Sequence, residues 1–103
     1  MTAAVVAHLA DTTLERDLAA GFEEEGVPLR CERVPGEPGA LARDAARAAE
    51  LGLGIGGDAR RLVLVLAAAP GQPYLEAPPD RARAFAQAAA RVAARRPIDP
   101  ALA

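Results

Sequence analysis

Residues 51–66 (LGLGIGGDARRLVLVL) decide the fold, because they contain two adjacent strands of different character. The first strand, at residues 53–57, is rich in glycine, which favours close packing of a helix against its backbone. The second strand, at residues 61–68, has the apolar run LVLVL at its centre, which is typical of a strand buried on both faces. Only residues 58–60 separate the two strands, so we predict an antiparallel hairpin in the middle of a sheet.

Strands and helices alternate on the N-terminal side of this hairpin. The predicted elements there are a strand at residues 3–10, a helix at 13–26, a strand at 29–34 and a helix at 41–51. A capping box formed by Thr12 and Glu15 is expected to start the first helix, and Gly26 is expected to end it in the left-handed conformation.

A brief edge strand at residues 74–76 and a helix at 79–95 are predicted after the hairpin. This order predicts a three-layer α/β/α domain with three helices and a mixed, mostly parallel sheet of four to five strands. We expect residues 1–103 to form a single domain.

The composition indicates a thin hydrophobic core. Hydrophobic residues make up 51% of the chain, but 27 of them are alanine, and Leu, Ile, Val and Phe together number only 23. A net charge of −2 nevertheless argues against disorder. We expect a folded domain that gains stability from self-association or from a partner surface.

Several function classes are excluded by residue types that the chain lacks. It has no Lys, Ser, Asn or Trp, so a serine nucleophile, a Schiff-base lysine and a P-loop lysine are impossible. The mild acidity argues against nucleic-acid binding. No stretch approaches the ~20 apolar residues of a membrane span, and no secretion signal is evident at the N-terminus. One cysteine fits a reducing compartment, so we expect a cytoplasmic protein.

The glycines at 52, 54 and 57 match the dinucleotide-binding pattern G-x-G-x-x-G only formally. That pattern must follow a strand and open a helix, so that a phosphate group meets the helix N-terminus. Here the glycines lead into a hairpin, and we interpret them as a packing surface for helices. Asp58 is interpreted as a turn residue of that hairpin.

His8 and Cys31 are the two residues from which a thiolate–imidazole pair could be built, since each is the only one of its type. The sequence supplies no third group to orient the imidazole and no oxyanion donor. We therefore favour structural roles for both residues and expect no catalytic residue in the chain.

Three adjacent carboxylates, Glu23, Glu24 and Glu25, lie where the first helix is predicted to end. The C-terminus of a helix carries partial negative charge, so each acidic side chain there is disfavoured by roughly 0.3–1 kcal/mol. Folding alone favours basic residues at these positions. Such a conflict with a local rule marks a candidate functional site.

At 100° per residue, Glu24 falls on the same flank of the helix as Asp17, Ala20 and Gly21, whereas Glu23 points to solvent. Two interpretations remain open at this point. The triplet is a solvated acidic run, or the small-residue flank is a partner interface that ends in an oxygen ligand. Glu24 alone cannot hold Mg²⁺ or Ca²⁺, because each ion needs six or more oxygen ligands.

The chain resembles the small (beta) subunit of the diol and glycerol dehydratase reactivases, factors that act on adenosylcobalamin-dependent dehydratases. Residues 21–28 (GFEEEGVP) are similar to that family's segment GIEEEGIP, and residues 51–58 (LGLGIGGD) are similar to its LGVGIGxD. Residues 89–92 (AARV) and 97–98 (PI) are similar to its closing A-A-R-L…I-P segment. These matches follow the family's order and span most of the chain.

This resemblance implies a fold shared with the medium subunit of the dehydratase and a non-catalytic role. It further implies a large partner subunit that is an Hsp70-like ATPase, and displacement of the homologous dehydratase subunit to release damaged cobalamin. It assigns Glu24 as a ligand of a Mg²⁺ or Ca²⁺ ion held mainly by the large subunit. The alternatives are a medium-subunit-like component of a dehydratase and a stand-alone homodimeric interaction module.

Overall fold

The computed structural model describes residues 3–98, whose five strands form one sheet with helices on both faces. The strands are β1 (Val5–Leu9), β2 (Leu29–Arg33), β3 (Leu53–Gly57), β4 (Leu62–Leu66) and β5 (Leu75–Ala77). The helices are α1 (Glu15–Glu25), α2 (Pro38–Ala48) and α3 (Ala82–Ala93), and 3₁₀ turns at Thr12–Leu14 and Pro79–Arg81 precede α1 and α3. The predicted three-layer α/β domain is confirmed.

The order of strands across the sheet is β2-β1-β3-β4-β5. Strand β1 lies parallel to β2 and to β3, whereas β3–β4 and β4–β5 are antiparallel pairs. Among the described strands, parallel and antiparallel pairs are equal in number, so the sheet is mixed as predicted but not mostly parallel. The difference arises because the edge strand β5 adds a second antiparallel pair to the hairpin. In the hairpin turn, Asp58 Oδ1 accepts hydrogen bonds from the main-chain N–H groups of Arg60 and Arg61 at 2.8 and 3.0 Å, which confirms the turn role of Asp58.

Helices α1 and α3 share one face of the sheet, and α2 covers the other. The main core lies on the α1–α3 face. Its largest fully buried side chains are Leu9, Leu18, Phe22, Ile55, Leu62 and Leu64. A smaller cluster on the α2 face consists of Ala42, Ala46, Val63 and Val65. The second cluster consists only of alanine and valine, whose side chains are short, so α2 must approach the sheet closely to bury it.

The glycine-rich strand β3 permits this close approach. A Cβ atom on Gly54 would lie 2.1 Å from the Ala46 nitrogen, and one on Gly56 would lie 2.0 Å from the Pro38 carbonyl oxygen. Real Cβ atoms do not come so near to backbone, so α2 occupies the space that side chains on β3 would need. Of the three glycines singled out in the sequence, the packing interpretation is confirmed for Gly54. Gly52 instead precedes β3 with a φ of +68°, and a Cβ atom on Gly57 would meet side chains, the nearest being Leu62 at 2.7 Å.

The starts of two helices differ from prediction. The turn before α1 is capped by Asp11, not Thr12, because the Asp11 carboxylate accepts hydrogen bonds from Thr13 N at 3.0 Å and from Thr13 Oγ1 at 2.7 Å. Helix α2 begins at Pro38 instead of residue 41 and ends at Ala48. Proline suits the first turn of a helix, where its missing N–H has no intrahelical partner in any case.

Glu37 is the cap of α2. Its carboxylate accepts hydrogen bonds from Gly39 N and Ala40 N, both at 3.0 Å, and forms an ion pair with Arg61. These two main-chain hydrogen bonds, with the Arg61 contact, lower the pKa of Glu37 to about 2. Arg61 also lies 2.9 Å from Glu76 on β5, so it ties the start of α2 to the sheet edge.

Candidate functional site at the end of the first helix

The last turn of α1 places its three carboxylates in three different environments. The helix ends at Gly26, which has a φ of +70° and donates its N–H to the Glu23 carbonyl at 3.1 Å. This left-handed cap is the one predicted from the sequence. Glu23 is exposed, also as predicted, whereas Glu24 and Glu25 contact α3.

Glu25 is held inside the molecule by two arginines of the C-terminal region. Its side chain is only 9% exposed, and one carboxylate oxygen lies 3.1 Å from Arg91 Nε and 3.2 Å from an Arg96 guanidinium nitrogen. Arg96 also donates a hydrogen bond to the Glu25 carbonyl oxygen at 2.6 Å. The negative end of α1 is therefore compensated within the chain. Glu25 is a structural residue, which sequence spacing alone did not predict.

Glu24 lies at the surface of the seam between α1 and α3, with 35% of its side chain exposed. Its Oε1 atom forms an ion pair with Arg83, and its Oε2 atom accepts a hydrogen bond from Gln87. Arg83 and Gln87 are one turn apart on α3, so together they contact both oxygens of the Glu24 carboxylate. Sequence reasoning missed these two residues, although their i, i+4 spacing places them on one helix face.

The predicted partner interface of Asp17, Ala20, Gly21 and Glu24 needs correction at its centre. Gly21 is buried, and a Cβ atom on it would lie 2.5 Å from the Ala86 Cβ atom and 2.6 Å from a main-chain oxygen of α3. The backbone that approaches this flank is thus the chain's own last helix. Asp17 and Glu24 are exposed and Ala20 is half-buried, and their role toward a partner stays a prediction.

No group of three or more His, Cys, Asp or Glu side chains that could hold a metal ion occurs within residues 3–98. Among the described residues Glu24 can therefore offer a single carboxylate to a cation, which is too few oxygen ligands for a Mg²⁺ or Ca²⁺ site.

The hypothetical pair of His8 and Cys31 does not form. In the β1–β2 register Cys31 lies beside Ala7 and packs against the α1–α3 core, whereas His8 is one residue further along and points to the opposite face. Burial and the negative charge of Glu15 raise the pKa of the Cys31 thiol to about 11, so the thiol stays protonated at neutral pH. His8 Nε2 instead lies 3.4 Å from a carboxylate oxygen of Glu32.

The model of one protein family, the dehydratase medium subunit, matches residues 2–99. The chain belongs to the dehydratase medium-subunit family. A search of curated proteins gives no significant match. Within the part of this family member that the structure describes, no helix is both long and apolar enough to cross a membrane.

Solved structures resemble this member of the medium-subunit family closely. A chain of a glycerol dehydratase reactivase superposes with a TM-score of 0.82 at 24% identity, covering 92% of this chain and 95% of that one. A chain of a diol dehydratase-reactivating factor complexed with ADP and Mg²⁺ superposes with a TM-score of 0.83 at 28% identity, covering 96% of this chain and 98% of that one. Coverage this complete in both directions means that the matched chains have nearly the same length as this one. The resemblance to the small reactivase subunit is confirmed.

Proposed function

We propose that this chain is the non-catalytic small subunit of a cytoplasmic, chaperone-like factor that reactivates adenosylcobalamin-dependent diol or glycerol dehydratase. One observation carries the proposal: the chain matches a chain of a diol dehydratase-reactivating factor over almost the full length of both, at 28% identity. The absence of Lys and Ser, and the raised pKa of Cys31, agree with a subunit that does no chemistry itself.

The partner in this proposal is a large ATPase subunit. The small subunit leaves it and takes the place of the homologous medium subunit of the dehydratase, which opens a path for damaged cobalamin to escape. The match to the medium-subunit family model supports this exchange, because two subunits of one fold can compete for one binding surface.

Within the assembly, Glu24 supplies one ligand to a Mg²⁺ or Ca²⁺ ion held mainly by the large subunit. Its position favours this role, since the carboxylate is exposed at the seam and lies beside Asp17 and Ala20 on one helix flank. The related factor contains Mg²⁺ and ADP. Arg83 and Gln87 hold the carboxylate in place in the described chain, so a cation that binds Glu24 would have to compete with the Arg83 contact.

A pull-down of the tagged chain from its native host tests the proposal. The expected result is that a large chain with ATPase activity is recovered with the tagged chain. In the presence of ADP and Mg²⁺, the two chains should form a complex that contains no dehydratase. The assignment would be contradicted if the pull-down recovered neither the large ATPase chain nor any dehydratase subunit.

The second candidate is a medium-subunit-like component of a cobalamin-dependent dehydratase. The family description favours it directly, because the model that matches residues 2–99 is that of the dehydratase medium subunit. In the same pull-down this alternative predicts a catalytic dehydratase chain in stoichiometric amount and no ATPase chain. A stand-alone homodimeric module predicts that the chain recovers only itself.

A further inference from the structure

Strand β2 forms an outer edge of the sheet. Its inner side pairs with β1, and no strand lies on its outer side among residues 3–98. The side chains of Arg30, Glu32 and Arg33 are exposed along this strand. An edge of five residues with free main-chain groups is a surface to which another strand can add.

The hydrogen bonds at the two ends of β2 determine which main-chain groups are free. The Pro28 carbonyl accepts from Val5 N at 3.0 Å, and Val34 N donates to the Leu9 carbonyl at 3.1 Å. Alternate residues of a strand turn their main-chain groups toward the same neighbour, so the even-numbered residues 28–34 face β1. The N–H and C=O groups of residues 29, 31 and 33 therefore point outward.

We propose that this edge binds the β2 strand of a second copy of the chain, antiparallel and with the two-fold axis at Cys31. Cys31 then faces Cys31 of the second copy, and Leu29 faces Arg33 of the second copy. All three outward-pointing residues form hydrogen-bonded pairs in this register, and the two sheets join into one. The proposal goes beyond the proposed function, since it concerns the chain when no other subunit is bound.

The charges select this register over its neighbours. With the axis at Cys31, Arg30 faces Glu32 of the second copy, and symmetry repeats this pair of opposite charges. With the axis at residue 30, Arg30 would face Arg30 of the second copy. With the axis at residue 32, Glu32 would face Glu32 of the second copy. Like charges directly opposite are destabilising, so both neighbouring registers are disfavoured.

The two charged pairs also have favourable geometry. Arg30 and Glu32 lie at non-hydrogen-bonded positions of the new pairing, where Cα atoms of opposite residues are about 4.5 Å apart and side chains approach most closely. Glu32 is 55% exposed although it lies near His8, so its carboxylate is accessible to an arginine of the second copy. Both residues point to the α2 face, because Leu29, Cys31 and Arg33 occupy the alternate positions.

Charge reversal measured by sedimentation equilibrium tests this proposal on the purified full chain. The single variants Arg30→Glu and Glu32→Arg each place like charges across the axis, and the double variant Arg30→Glu/Glu32→Arg restores opposite charges. We expect a concentration-dependent dimer whose dissociation constant rises about tenfold or more in each single variant. The double variant should return to within about threefold of the original value, and thermal unfolding should confirm that all variants are folded.

Cross-linking gives an independent measurement. Directly opposite residues of a hydrogen-bonded pair have Cα atoms about 5.5 Å apart, which lies within the range that a disulfide bridges. Oxidation with copper-phenanthroline should therefore yield a covalent dimer that is absent in Cys31→Ser. A chain that stays monomeric at all concentrations would overturn the proposal. The exposed charges of β2 would then act to prevent other strands from pairing with this edge. A dimer whose affinity ignores both single reversals would overturn it as well, because another surface would then hold the copies together.

Discussion

Arg96 donates a hydrogen bond of 2.6 Å to the carbonyl oxygen of Glu25, and its guanidinium group lies 3.2 Å from the carboxylate of the same residue. One side chain thus satisfies a main-chain acceptor at the end of α1 and neutralises the adjacent charge. The acidic triplet conflicts with the helix dipole only while α1 is considered alone. In the folded chain the conflict is resolved for Glu25, and Glu23 and Glu24 remain accessible.

Replacing Arg96 by alanine should destabilise the fold. The change leaves a carboxylate that is 9% exposed with one arginine instead of two and removes a donor from a helix-end carbonyl. We expect a loss of about 1–3 kcal/mol in the free energy of unfolding, measured by urea denaturation. Arg60→Ala, at an exposed position of the hairpin turn, is the control and should change it by less than about 0.5 kcal/mol. Equal effects of the two substitutions would mean that the Arg96 contacts carry no stability.

Gly21→Ala should also destabilise, although alanine is the better helix former. The new Cβ atom would lie 2.5 Å from the Ala86 Cβ atom, so α1 and α3 must move apart. Overpacking of this kind costs ~1–3 kcal/mol, which exceeds the helix-propensity gain of at most ~1 kcal/mol. Gly71→Ala is the matched control, because a Cβ atom there meets nothing within 4 Å. A Gly21→Ala protein with a raised thermal midpoint would refute the close packing of the two helices.

The cap at Glu37 should make stability depend on pH in the acidic range. The folded-state pKa of about 2 lies below the ordinary value of 4.5, so the contribution is complete above about pH 4.5 and is lost as the pH falls toward 2. Because the side chain is 55% exposed, solvent screening keeps the contribution small, on the order of 1 kcal/mol for a cap. The difference in unfolding free energy between wild type and Glu37→Gln should therefore shrink between pH 6 and pH 3. A difference that is constant over this range would show that the carboxylate charge contributes nothing.

Glu24→Gln separates a functional carboxylate from a structural one. It keeps the shape of the side chain but removes its charge, and the exposed pair with Arg83 is worth only about 0–1 kcal/mol, so folding should change little. Binding to the large subunit, or the Mg²⁺ dependence of that binding, should weaken by ~1–3 kcal/mol in calorimetry. Glu23→Gln, on the solvent side of α1, is the control. Wild-type affinity and Mg²⁺ response in both variants would identify the triplet as a solvated acidic run.

The hairpin, the glycine strand and the cap at Gly26 could be predicted because each depends on neighbouring residues. The run LVLVL needs burial on both faces wherever it lies. A strand with two glycines under a helix allows the helix backbone to pack closely against the strand. The start of α2 could also have been predicted, because Glu37 followed by Pro38 is a cap and a first-turn proline, whereas the predicted helix begins only at residue 41.

The environment of the acidic triplet could not be predicted in the same way. Arg91 and Arg96 lie 66 and 71 residues away from Glu25, and helical periodicity gives no information on contacts at that distance. Periodicity correctly grouped Gly21 and Glu24 on one flank of α1. It could not tell that the surface packed against this flank belongs to α3 of the same chain.

The packing of Gly21 against Ala86 has a consequence for the order of folding. The apolar face of α1 is completed by a helix that begins at Ala82, so β1, α1 and β2 can be synthesised long before their covering layer exists. Closing a chain segment of this length slows folding, because loop entropy is lost before the contact is gained. During synthesis the apolar face of α1 therefore stays uncovered, and the negative charge at the end of α1 stays uncompensated, until α3 leaves the ribosome. A nascent chain that stops short of α3 should be the form most prone to aggregate or to be retained by chaperones.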